Sequence, residues 1–285
     1  MRLLCAVMAL AATACFAQPA YARDGNNAPD YARDGDNAPD YARDGDNAPD
    51  YARDGDNAPD YAREKRWAAE VTPGLVVGDA VYLAQKSGHK FLAIYTPVAQ
   101  PRAAVITVHG QGVHPDWGLI GALRSGLADQ GYTTLSVQMP VLAADALREE
   151  YPALFPEAAD RLRAAIEFLK GKGSAQIVIA CHSLGARMCN YFLTGTPGNG
   201  VAAWVAIGIV PSEFTEPDKL NLPILDIYGE RDFAPVLEKT AARAAVLRTR
   251  KGSAQVEVAG ADHYFAGSEG ELVKQVRQFL DQRFR

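Results

Sequence analysis

Several things are scarce in this 285-residue chain, and each scarcity excludes a class of function. Positive charge is not in excess: the formal net charge is -5, so no basic surface is offered to nucleic-acid phosphates. No apolar run approaches the roughly 20 residues of a membrane-spanning helix; the longest, residues 3–16, is too short. Histidine and cysteine are few, at five and four. The one close histidine pair, His109 and His114, has no carboxylate or thiolate at a metal-ligand spacing, so neither metal nor cofactor is expected. Cys5 and Cys15 fall in the N-terminal apolar run. Cys181 and Cys189 fall at a strand end and in the following helix, and are expected as two small buried thiols rather than a bridge.

The N-terminus has the form of a secretory signal. Arg2 supplies the positive start, the apolar run follows, and Ala20-Tyr21-Ala22 offers a small-x-small cleavage site. Residues 1–22 are thus expected to be removed, leaving a periplasmic or secreted chain without a membrane span. An uncleaved anchor and lipid attachment at Cys15 are the alternatives; Ala12-Thr13-Ala14 before that cysteine lacks the larger aliphatic residue such sites carry.

A decapeptide repeat comes next. Tyr-Ala-Arg-Asp-Gly-Asp-Asn-Ala-Pro-Asp recurs from Tyr31, Tyr41 and Tyr51, with a first copy at Tyr21 and a broken one at Tyr61. Residues 21–60 hold four Arg against eleven Asp, about -7, which leaves the rest of the chain about +2. Each unit has one large apolar residue, too little burial to offset the entropy of ordering, so residues 23–64 are expected to be a disordered acidic spacer. The Asp-Gly-Asp-Asn core invites a calcium reading, but no apolar flank holds a loop closed around an ion.

From residue 65 to 285 strands and helices alternate. Strand patterns fall at residues 75–84, 90–96, 103–108, 133–137, 176–180, 201–210, 223–228 and 255–258. Helical patterns fall at 116–128, with Asp116 as its cap, and at 155–169, 184–193, 236–247 and 269–284. This order implies a mostly parallel, doubly wound α/β sheet with an antiparallel leading edge.

The sharpest chemical signal is Cys181-His182-Ser183-Leu184-Gly185, where a β-branched strand runs directly into a helix through a serine between small residues. Such a turn lifts the Ser183 hydroxyl above the sheet and places the Leu184 N–H at a helix N-terminus, where developing negative charge is stabilised. Here the sequence resembles the α/β-hydrolase superfamily, although Cys181 stands where that pattern usually has glycine. The resemblance implies more. In His109-Gly110-Gln111-Gly112, Gln111 would supply the second backbone N–H of an oxyanion hole. The family's chain order of serine, acid, histidine points to His263, the one histidine beyond Ser183. For the acid it points to Asp232, in a Gly229-Glu230-Arg231-Asp232 turn, with Glu230 and Asp226 as competitors. Asp226 lies inside a strand and would need a buried partner. His109 and His114 are expected to be structural or pocket-lining, His182 to support the turn, and Arg187 and Asn190 to be ordinary helix residues.

Residues 211–222 are too few for a cap domain. The only other cover is 140–156, whose apolar side chains (Leu142, Leu147, Tyr151, Leu154, with Met139 and Phe155 at its ends) fit a small lid or a packed loop equally well. Gly110 to Trp117 also looks like an uncharacterised bacterial α/β-hydrolase-like family, a resemblance running from Ala103 to the C-terminus that supplies no substrate. The resemblance implies an exported serine hydrolase, a carboxylesterase or other acyl hydrolase, acting on a small-molecule or envelope-derived ester. An amidase or peptidase is the alternative within enzymes. A hydrolase-like envelope binding module, with the repeats as spacer, is the alternative outside them. The sequence specifies no oligomeric state.

Overall fold

A computed structural model of the chain describes residues 58–210 and 212–284. The signal reading, and all repeat copies before the end of the fourth, lie outside the described residues.

In chain order the elements are α1 (Tyr61–Val71), β1 (Asp79–Ala84), β2 (Lys90–Thr96), β3 (Ala104–Val108), α2 (Gly118–Asp129), β4 (Thr133–Val137), α3 (Phe155–Gly171), β5 (Ile177–His182) and α4 (Leu184–Gly195). They continue with β6 (Ala203–Ile207), β7 (Ile224–Arg231), α5 (Ala234–Glu238), α6 (Thr240–Arg248), β8 (Ala254–Asp262) and α7 (Glu269–Asp281). The eight strands form one sheet in the order β1-β2-β4-β3-β5-β6-β7-β8. The β1/β2 and β2/β4 pairs are antiparallel and the other five parallel.

The two-residue period of the central strands divides their side chains between two cores. Ile106, Val108, Ile179, Cys181, Trp204 and Ala206 face α3 and α4. Val105, Val178, Ala180, Val205 and Ile207 face α2 and α7. Burial on both faces is why these strands read as continuous apolar runs rather than alternating ones.

Three sequence expectations are corrected. Asp116 does not cap α2, whose N-cap is Trp117 with no side-chain bond. Its carboxylate instead accepts from Nε of the buried Arg124 at 2.7 Å, a charge-assisted bond stronger than a neutral cap. The helix expected over 236–247 is broken at Lys239 into α5 and α6. Third, Cys181 and Cys189 form a disulfide with Cα atoms 6.7 Å apart. The tight turn at Ser183 folds α4 back beside β5, so residues at a strand end and two turns into a helix become neighbours. Closing so short a loop constrains the unfolded chain by about 2–3 kcal/mol. Replacing both cysteines with alanine should lower the unfolding free energy by about that much in urea titration, and the native protein should show no free thiol at either position.

Helix α1 was not expected. The last repeat copy departs from the others after its third residue, putting Glu64-Lys65-Arg66-Trp67 where the preceding copy has Asp54-Gly55-Asp56-Asn57. Glycine, aspartate and asparagine disfavour helix; their replacements propagate it. Asp60 then caps the helix by accepting from the Arg63 N–H at 2.7 Å. The fold thereby takes in four residues that the repeat pattern assigns to the spacer. The helix is tied down by Asp60 N–H to the Val141 carbonyl at 2.7 Å and by the Arg63 guanidinium to the Leu142 carbonyl at 3.1 Å. It is also held by a bidentate pair between Glu64 and the fully buried Arg161, both bonds 2.9 Å.

Candidate active site

The parallel strands β3, β5, β6, β7 and β8 end on one edge of the sheet, and the site is assembled from the turns that leave them. Ser183 lies between β5 and α4 at φ 54° and ψ -123°. That conformation strains a non-glycine residue by about 1–3 kcal/mol and persists only where neighbours enforce it. The Ser183 N–H donates to the Ile207 carbonyl at 2.8 Å. A Cβ on Gly185 would collide with the His109 carbonyl oxygen, so glycine there allows α4 to start against the β3 turn.

The structure brings Ser183, His263 and Asp232 together. His263 Nδ1–H donates to Asp232 Oδ1 at 2.6 Å, and Nε2 lies 3.0 Å from Ser183 Oγ. A proton on Nδ1 leaves the Nε2 lone pair facing the serine hydroxyl. Asp232 Oδ1 also accepts the Phe233 N–H at 2.7 Å, which fixes the carboxylate from a second side. His263 and Asp232 are buried, at 2% and 5% exposure, while Ser183 is half-buried. Gly208, at φ +50°, passes so close that a Cβ would sit 3.1 Å from both Asp232 Oδ2 and His263 Nδ1.

Gln111 lies in the turn after β3, and Leu184 is the first residue of α4. Val108 and Cys181 are paired across β3 and β5, so the turns carrying the two residues leave adjacent strands. Leu184 opens α4, where an N–H has no intrahelical acceptor and lies at the positive end of the helix dipole.

The competing carboxylates are engaged elsewhere. Asp226 is fully buried and accepts from Arg243 Nε and Gln255 Nε2, each at 2.8 Å, which supplies the partner its strand position requires. Glu230 is exposed and accepts the Gly260 N–H at 2.7 Å.

His109 is fully enclosed; burial pushes its pKa down to about 3, so it stays neutral. Its Nδ1–H donates to the Gly110 carbonyl at 2.8 Å and its Nε2 accepts the Met139 N–H at 2.9 Å, tying the Gln111 turn to the end of β4. His114 is half-buried and its Nδ1 accepts the Asp116 N–H at 3.3 Å. His182 is held neutral by burial and by the neighbouring His263, and its Nε2–H donates to the His263 carbonyl at 3.0 Å. That bond links the serine turn to the backbone of the histidine turn. Asn190 exceeds its expected ordinary role: its amide group bonds both the N–H and the carbonyl of Thr215, fastening the loop before β7 to α4. Arg187 donates to the Glu213 carbonyl at 3.4 Å.

Within residues 140–156, Leu142, Tyr151, Leu154 and Phe155 are buried, and Leu147 alone among the large apolar side chains is exposed. The segment, which includes a 3-10 helix at Arg148–Leu154, packs its buried side chains inward, and among the described residues no lid covers the site. Sequence reasoning passed over three aromatic residues around His263. Phe233 stacks on its ring with centroids 4.0 Å apart, Tyr264 meets it edge-on at 5.2 Å, and Trp117 meets Tyr264 edge-on at 5.6 Å. The adjacency of Phe233 to Asp232 and of Tyr264 to His263 in the chain was a visible signal. Among the described residues no cluster of three or more His, Cys, Asp or Glu could hold a metal ion, and no helix is long and apolar enough to cross a membrane.

No curated protein matches the sequence significantly. Solved structures do match the fold. Dienelactone hydrolase from Anabaena variabilis is 19% identical, with 73% of this chain and 98% of that one covered and a TM-score of 0.58. Est1E from Butyrivibrio proteoclasticus is 18% identical, with coverages of 72% and 98% and a TM-score of 0.56. A serine hydrolase without a lid from Xanthomonas campestris is 16% identical, with coverages of 74% and 96% and a TM-score of 0.56. These likenesses establish an α/β-hydrolase fold without a lid. Residues 1–160 match the model of a family described as protein of unknown function, DUF3530. The chain belongs to the DUF3530 family of proteins of unknown function, on an α/β-hydrolase fold.

Proposed function

We propose that this chain is an exported serine hydrolase that cleaves carboxylic esters through an acyl-Ser183 intermediate. The observation that carries the reading is the continuous hydrogen-bonded line from Asp232 through His263 to Ser183, at 2.6 and 3.0 Å, on a strained serine turn. His263 Nε2 takes the Ser183 proton as Oγ attacks the ester carbonyl, and Asp232 stabilises the imidazolium that forms. The backbone N–H groups of Gln111 and Leu184 receive the oxyanion, each contributing about 3–4 kcal/mol of transition-state stabilisation. The imidazolium then protonates the leaving alcohol. Water, deprotonated by the same histidine, releases the acid and regenerates Ser183. The names of two structural relatives, a dienelactone hydrolase and a lidless serine hydrolase, fit ester cleavage at an open site.

Export has two supports: the N-terminal pattern, and the buried Cys181–Cys189 disulfide, which belongs to an oxidising compartment. A periplasmic or secreted enzyme of this kind would meet small-molecule or envelope-derived esters.

The test is a fluorophosphonate probe applied to residues 23–285, with the modified peptide mapped by mass spectrometry. Rapid labelling at Ser183 alone, lost in His263→Ala, is the expected result. A folded chain that resists the probe removes the hydrolase reading and favours a binding module.

A further inference from the structure

The three aromatic residues around His263 come from three different turns, and each turn carries part of the proposed machinery. Trp117 follows the Gln111 turn after β3, Phe233 is the residue after Asp232, and Tyr264 is the residue after His263. Trp117 and Tyr264 meet edge-on at 5.6 Å, Phe233 and Tyr264 edge-on at 5.9 Å, and Tyr264 lies 6.3 Å from the His182 ring. The contacts thus join the turn that carries Gln111 to the turns that carry Asp232 and His263.

A merely structural role accounts for part of this wall. Phe233, stacked on His263, shields the histidine–aspartate pair from water. It does not account for the rest, because Tyr264 and Phe233 keep 44% and 36% of their surface exposed. Large aromatic surface left open beside a nucleophile is available to a ligand. Flat rings meet such surfaces by stacking or edge contacts worth about 0.5–1.5 kcal/mol beyond simple burial. A sugar ring also stacks on aromatics, but it needs polar side chains to pair its hydroxyls. Along this wall Asp262 Oδ1 is engaged by the backbone N–H groups of Tyr264 and Ala266, at 2.9 and 3.1 Å, and Arg148 is a further charged neighbour of Tyr264.

Building on the hydrolase reading, we propose that the aromatic wall around His263 selects esters carrying an aryl ring, with Tyr264 as the specificity-determining residue and Trp117 and Phe233 completing it. Ester and water give acid and alcohol as above; the ring contributes recognition only. Because the site is open on the solvent side, the ring can sit on either the acyl or the alcohol part.

The experiment compares flat and puckered rings of similar size at matched leaving groups. The processed chain, residues 23–285, is assayed for kcat/KM on benzyl acetate against cyclohexylmethyl acetate, and on methyl phenylacetate against methyl cyclohexylacetate. The expected result is a preference of about three- to tenfold for the aryl member of one pair. That ratio should fall towards one in Tyr264→Leu and return in Tyr264→Phe, which keeps the ring; a loss of fold would lower all rates without moving the ratio. Ratios near one in the native protein overturn the proposal, as does a preference that survives Tyr264→Leu, or an absence of turnover on all four esters while the fluorophosphonate still labels Ser183. Failure of that labelling in the folded protein instead removes the hydrolase reading on which the proposal rests.

Discussion

Asp232→Asn should lower kcat/KM on a simple activated ester such as 4-nitrophenyl acetate by about 10⁴-fold while leaving the fold intact. The cause is the tautomer of the His263 imidazole. Asp232 Oδ1 receives two donors, His263 Nδ1–H at 2.6 Å and the Phe233 N–H at 2.7 Å, so this oxygen is committed as an acceptor. An asparagine of the same shape must direct either its oxygen or its amide at that point. With the amide towards His263, Nδ1 becomes an acceptor, the proton moves to Nε2, and the ring donates to Ser183 Oγ instead of receiving from it. With the oxygen towards His263 the tautomer survives, but the carboxylate charge that stabilises the imidazolium is gone. Both outcomes leave the serine weakly activated. Glu230→Gln is the control: that carboxylate is exposed and bonded to the Gly260 N–H, and its loss should leave the rate within a factor of about two. If Asp232→Asn retained more than a tenth of the native rate with an unchanged near-UV spectrum, Asp232 would not be the group that orients His263.

The choice among the three late carboxylates shows where sequence reasoning has purchase. A strand position is either buried or facing solvent, so an aspartate inside β7 had to find a cation or be excluded; Asp226 finds Arg243. A turn residue is free to aim at a neighbouring turn, as Asp232 does. The parallel sheet was legible for a related reason, since strands buried on both faces leave long β-branched runs that other elements do not imitate. The disulfide was not legible, because it depends on α4 folding back beside β5, a proximity in space with no periodicity in sequence. Nor was the break at Lys239, which lies in a stretch whose residues favour helix on both sides. Helix α1 was hidden differently: its first three residues repeat the spacer, and only the substitutions from Glu64 onward change the local preference. Two members of the aromatic wall, Phe233 and Tyr264, stand beside Asp232 and His263 in the chain, but what makes the wall a candidate surface is exposure, which a sequence does not state.

The attachment of α1 rests on a charge arrangement whose disruption should have a large effect on stability. Arg161, fully buried, donates to both oxygens of Glu64 at 2.9 Å, to Glu157 at 2.6 Å, to Gln85 at 3.2 Å and to the Gln138 carbonyl at 3.0 Å. One guanidinium therefore serves two carboxylates. His89 lies 3.8 Å from Glu64, and burial and Arg161 lower its pKa. Arg161→Met would leave Glu64 and Glu157 facing each other without a cation, and the expected cost is about 3–5 kcal/mol. In the native chain the same excess of negative charge has a pH signature. Burial is the main cause that raises the Glu64 pKa from 4.5 to about 7, with Glu157 adding to it and Arg161 opposing it. A carboxyl whose folded pKa lies above its unfolded one stabilises the fold fully below the unfolded value and loses that contribution as pH rises through the folded value. Native stability should thus fall between about pH 5 and 8 by up to about 3 kcal/mol from this group. Glu64→Gln, which cannot ionise, should flatten the fall, and the deficit of Arg161→Met should be smaller at pH 5 than at pH 8. Urea unfolding of the three proteins across that range decides the matter. A native profile that Glu64→Gln leaves unchanged would mean that Glu64 is ionised throughout and that Arg161 alone balances both carboxylates.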